Sequence, residues 1–182
     1  MTASDAETIL RVAWPSFVEV GGGTFLREAA PSDAASLGRF YDLTAAEAFC
    51  NHVHVLDLVE HGAGLDGSDP ERGYYDATHP DFLAASEAGK IIAQSWQAKL
   101  ARDFPGRRFR VYFCADDNPV VRFHTVRDNE APWLDERDWA QAVTAGRVLV
   151  LEATSSWTAP AVKEKRTEEN PAEPSPGPNG TS

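Results

Sequence analysis

Cysteine is scarce in this chain: Cys50 and Cys114 are the two among 182 residues. Two thiols cannot build a disulfide framework, so the fold must rest on a hydrophobic core, and unpaired thiols fit a reducing compartment. Long apolar runs are missing as well. The longest aliphatic stretch, Val148 to Leu151, falls far short of the ~20 residues that a membrane-spanning helix needs. Met1-Thr2-Ala3-Ser4-Asp5 carries no basic segment and leads into no apolar one, so no secretory signal is expected. Asn179-Gly180-Thr181 is then a chance match to a glycosylation acceptor. These absences point to a cytoplasmic protein.

Positive charge is in short supply: 17 Lys and Arg stand against 28 Asp and Glu, a net charge of −11 with the histidines neutral. Nucleic acids and anionic membranes select dense Lys and Arg, so neither is expected as a partner. Summed charge acts on solubility and steering, not on fold. An acidic surface suits a basic protein partner, and it equally suits a protein with no partner.

Catalytic signatures are lacking too. There is no nucleophile elbow, Walker loop, dinucleotide fingerprint, H-E-x-x-H or paired-cysteine zinc pattern. Gly21-Gly22-Gly23 could cradle a phosphate, but no Lys-Ser/Thr follows and no long helix opens directly behind. A hairpin turn using glycine's positive φ is the better account. Asp66, Ser68, Asp69 and Glu71 resemble a calcium loop superficially, yet Pro70 occupies a ligand position and Gly73 is misplaced. No cofactor is expected.

What is present is an ordinary globular composition, 42% apolar and 25% charged. Residues 1–157 read as a single α+β domain; a body of about 150 residues buries roughly 70% of its unfolded surface and needs no metal to hold it together. Beyond Trp157 come Pro160, Pro171, Pro174, Pro176 and Pro178, a mixed-charge block at residues 163–166 and no aromatic side chain. Residues 158–182 therefore read as a disordered Pro/Glu-rich tail.

Along the body, Ser4 with Glu7 forms a capping box that starts a helix ending at Trp14-Pro15. Phe17 to Val20 and Thr24 to Glu28 read as strands around the three glycines. Thr44 with Glu47 caps a second helix, and Phe49, Val53 and Leu56 recur at helical spacing, which extends it over residues 45–61. The rival is a strand over His52-Val53-His54-Val55. Pro80 fits the first turn of a long helix capped by Thr78 or His79 and closed by Phe104-Pro105-Gly106. Alternation then predicts a hairpin over residues 107–126: Phe109, Val111, Phe113, Val121 and Phe123 face a core, while Arg108, Arg110, Tyr112, Cys114, Arg122 and His124 face the other way. A short helix around Trp139 and Val143 stops at Gly146, and Val148 to Leu151 reads as a central strand. The expectation is a mainly antiparallel sheet of about five strands with two long helices packed on one face.

Two clusters stand out. Arg108, Arg110, Tyr112, Arg122 and His124 share the outer face of the hairpin. Like charges on facing strands repel, so they call for the protein's own carboxylates or for a bound anion, both of which suit arginine's planar fork. Internal salt bridges are the simpler account. In the second cluster, Cys50, His54, Asp57 and His61 fall on one face of the 45–61 helix. That is zinc-ligand chemistry, although such a face would carry solvated polar groups in any case. The leading functional expectation is a non-enzymatic acidic binding module, an antidote, immunity-type or adaptor protein acting on a protein partner. The alternative is a small-molecule or anion-binding protein, or a hydrolytic enzyme, using the Arg/His face of residues 107–126.

Overall fold

The computed structural model describes residues 3–58, 76–115, 118–135 and 137–154. Positions 158–182, read from sequence as a tail, lie outside them. The chain opens with helix α1 (Ala3–Ala13), which Trp14-Pro15 ends. A hairpin follows, β1 (Phe17–Val20) with β2 (Gly23–Leu26). Its turn places Gly21 at φ 55° and Gly22 at φ 85°, values that a side chain disfavours and that match the twist of paired strands.

Helix α2 (Leu43–Cys50) is capped by Asp42, whose side chain accepts from the Ala45 N–H. The helix stops at Cys50, and the second long helix expected over 45–61 is not formed. Asn51 leaves helical geometry at φ −91°, ψ 57°. His52–His54 becomes strand β3 and Val55–Leu58 a turn of 3-10 helix. The rival strand wins because β5 (Val120–Thr125) offers an antiparallel edge on which His52, Val53 and His54 pair with Arg122, Val121 and Val120. Tertiary pairing overrides helical spacing here.

Helix α3 (Pro80–Asp103) is the long one, with Pro80 in its first turn and His79 accepting from the Asp81 N–H. Its stripe of Phe82, Ala85, Ile92, Trp96 and Leu100 packs on Phe109, Val111 and Phe113 of β4 (Arg108–Cys114), Val121 and Phe123 of β5, and Ala153 of β6 (Val148–Thr154). Phe123 meets Phe17 at 5.4 Å and Trp96 at 5.7 Å, both edge to face, the arrangement aromatic quadrupoles favour. Trp96 also donates from Nε1 to the Val12 carbonyl at 2.7 Å, which ties α1 to the core. Gly89 lets α3 approach the sheet: a Cβ there would stand 2.6 Å from Phe113 Cε2.

Among the described residues, six strands form two sheets: the β1–β2 hairpin and an antiparallel sheet in the order β3-β5-β4-β6. The architecture is α+β, as the sequence predicts. β6 lies at the edge of its sheet, not at the centre. Its apolar run has another cause. Leu149 and Leu151 pack against the core under α3, while Val148 faces the opposite side and lines a cleft there. Helix α4 (Ala140–Thr144) is a short helix that ends before Gly146 at φ 70°. No described helix is long and apolar enough to cross a membrane.

Candidate functional site

Two groups of polar side chains are held on the sheet, and they differ in how completely they are satisfied. The first centres on Glu47, which α2 delivers into the protein with its side chain fully buried. Its carboxylate accepts from the Thr24 and Thr125 backbone N–H groups at 2.6 Å each and from the Thr125 hydroxyl at 2.9 Å. It also accepts both ends of the Arg127 guanidinium at 2.9 Å. One turn on, Asn51 accepts from the Leu26 N–H and donates to the Thr24 carbonyl, both at 2.8 Å. Two residues four apart, Glu47 inside α2 and Asn51 at its C-cap, thus hold the edge of β2 and the end of β5 together. Every strong acceptor site on Glu47 is used, so this group is a structural latch.

The second group lies on the sheet face turned away from α3. Register places Arg110 opposite His124, Tyr112 opposite Arg122, and Arg122 opposite His52. Alternation therefore gathers Arg110, Tyr112, Cys114, Arg122, His124, His52 and His54 on one side. His124 is buried, and its Nδ1 lies 2.8 Å from the Thr125 carbonyl, so that nitrogen carries the proton. Its Nε2 then accepts from the Tyr112 hydroxyl at 3.0 Å and from the Trp133 N–H at 3.4 Å. Burial, the largest influence, pushes the His124 pKa down and keeps the imidazole neutral. With both nitrogens committed, this histidine holds the sheet to the 128–135 loop and has no lone pair left for proton transfer.

The arginines separate into different environments. Arg108 is exposed at the start of β4. Arg110 sits 3.5 Å from Glu152, its cross-strand neighbour on β6. Arg122 differs from both. It is half-buried, and burial lowers its pKa from the usual guanidinium value. Its guanidinium carbon lies 5.1 Å from the centre of the Trp133 ring, and one N–H reaches the Ala48 carbonyl at a long 3.5 Å. No carboxylate among the described residues stands within 4.0 Å of it. Arg27 and Arg39 also lack such a partner, but both are exposed to water.

Arg122 lines an open cleft of about 210 Å³ together with Tyr112, Cys114, Val120, Trp133, Leu134, Trp139 and Val148. The strands supply Tyr112, Cys114, Val120, Arg122 and Val148, of which alternation in the hairpin places Tyr112, Cys114 and Arg122 here, but the Trp133, Leu134 and Trp139 walls come from a segment that periodicity does not describe. A signal was present in Trp133, Leu134 and Trp139, large apolar residues set in an otherwise polar stretch. Another cleft, about 380 Å³, lies between the end of α1, β2 and β3 and is walled by Trp14, Leu26, Val53 and Trp96. Its rim cation Arg11 pairs with Glu28 at 3.8 Å, and Arg27 is solvated. Among its described lining residues no arginine or lysine is half-buried.

The candidate metal ligands part company. Cys50 ends α2, His54 lies on β3, Asp57 sits in the 3-10 turn, and His61 lies outside the described residues. The shared helical face that linked them does not exist beyond Cys50. Burial pushes the Cys50 thiol up, opposed by Arg39, and pushes His54 down. Among the described residues no group of three or more His, Cys, Asp or Glu side chains could hold a metal ion.

The chain matches no family model, no curated protein and no solved structure, so the Arg122 cleft must be read from its own geometry.

Proposed function

We propose that this domain is a non-enzymatic binding module whose cleft takes a small anionic ligand on Arg122. One observation carries the reading: a half-buried guanidinium with five donors, one long hydrogen bond and no carboxylate partner among the described residues lines an open cleft. A cation withdrawn from water without a counterion is unfavourable. An anion entering the cleft supplies charge-assisted hydrogen bonds that water makes less well. Recognition is favoured over turnover because His124 already spends both ring nitrogens on fixed partners. A basic protein partner is the second reading, favoured by the net charge of −11; it would appear as salt-sensitive capture of a cationic protein.

The test is thermal unfolding with added acetate or phosphate against chloride at equal ionic strength, which removes general screening. Specific binding to the folded state raises the wild-type Tm by mass action. Arg122→Gln abolishes the increment, while Arg108→Gln, at an exposed position, retains it. Equal Tm values in all three salts would contradict the reading.

A further inference from the structure

Resting on the anion reading, we infer that the ligand of the Arg122 cleft is an amphipathic monocarboxylate with a flat apolar body, its head on the guanidinium and its body against Trp133 and Trp139. The walls supply the first reason. Apart from Arg122, the lining side chains include Val120, Val148, Leu134 and the two indoles, and the Tyr112 hydroxyl is already engaged with His124. Such a surface rewards carbon, and a bare inorganic ion would leave it wet. Room is the second. A volume of about 210 Å³ corresponds to roughly seven waters at ~30 Å³ each, enough for one ring system and a head group.

Charge is the third reason. Arg122 is the lone guanidinium lining the cleft among the described residues. Arg110, which register puts on the same sheet face, lies 3.5 Å from Glu152, and His124 is held neutral. One guanidinium matches one carboxylate in charge and in fork geometry. A phosphate dianion would lack a second cation in a molecule whose net charge is already −11.

Calorimetric titration of the full chain with phenylacetate, phenylacetamide, acetate and inorganic phosphate tests this directly. Phenylacetate is expected to bind at least tenfold more tightly than each of the other three. Arg122→Gln should cost phenylacetate at least tenfold in Kd while leaving phenylacetamide unchanged, and Trp139→Ala should weaken phenylacetate several-fold. Arg122→Lys, which keeps the charge without the fork, serves if the glutamine variant does not fold, and should fall between wild type and no binding. Acetate equal to phenylacetate would overturn the amphipathic ligand while sparing the anion site. Phosphate tighter than phenylacetate would overturn the carboxylate class. Phenylacetamide equal to phenylacetate, or no binding of any anion, would overturn the inference together with the anion reading beneath it.

Discussion

Glu47 shows how much one side chain holds here. Truncation to alanine leaves the Thr24 and Thr125 N–H groups without their acceptor and strips Arg127 of its two-pronged carboxylate partner, leaving it the longer contact with Glu130 at 3.6 Å. Breaking a buried pair of this kind costs about 3–5 kcal/mol, so Glu47→Ala should show a loss of that size in urea unfolding. A loss near that of a surface substitution would remove the latch from the account. His124 sets a pH dependence. Its folded pKa is depressed below the ordinary value of 6.5, so the folded state binds fewer protons than the unfolded chain in that region. Its stabilising contribution is complete above about 6.5 and is lost as pH falls toward the depressed folded value; His54 shifts the same way. His124→Gln should therefore be less stable than wild type at pH 7.5 and show a shallower fall in Tm down to pH 5. Parallel curves for the two proteins would rule out that titration. The Glu47 latch cannot be read from spacing because its partners Thr125 and Arg127 lie 78 and 80 positions along the chain, and the depressed histidines cannot because burial, the largest cause of both shifts, is set by packing.

Among the elements, α3 shows a conflict between local preference and packing. Alanine is favoured over glycine inside a helix by about 1 kcal/mol. At Gly89, however, a Cβ meets Phe113 at 2.6 and 2.8 Å and Val55 at 3.3 Å. Overpacking of this sort costs about 1–3 kcal/mol, so Gly89→Ala should lower the unfolding free energy. Adding Phe113→Leu should recover part of that loss, which a double-mutant cycle would measure as coupling; strict additivity would contradict the close approach. The β4–β5 hairpin and α3 were legible because periodicity, a proline start and a Phe-Pro-Gly stop agreed. The 45–61 segment was not, because Phe49, Val53 and Leu56 satisfied helical spacing while His52-Val53-His54 satisfied alternation. Only the edge of β5 decided between them. The same partnership dissolved the cysteine–histidine face. β6 misled in the opposite direction: a run of aliphatics signals burial on both faces, which α3 on one side and the cleft residues on the other supply without a central position.

For the whole molecule, the net charge of −11 and the cleft pull in opposite directions. A monoanion is repelled at long range, a repulsion that salt screens over a Debye length of about 10 Å at 0.1 M. A contact with the half-buried Arg122 would be short and partly shielded from solvent. The association rate of phenylacetate should therefore rise, not fall, as sodium chloride goes from low to physiological concentration, as stopped-flow tryptophan fluorescence would show. A steep fall would instead mark a basic surface doing the capturing. Composition made the acidic character plain from the sequence. The cleft was half legible: Arg122 and Tyr112 follow from alternation, whereas the Trp133 and Trp139 walls depend on how residues 128–139 fold back over the sheet. Whether Arg122 is the group that receives the anion is decided by following the Arg Nε–Hε resonances by NMR while phenylacetate is added. A saturable shift and slowed solvent exchange are expected for Arg122, with Arg27 and Arg39 unmoved. An unchanged Arg122 resonance at saturating ligand, or shifts confined to the exposed arginines, would contradict that role.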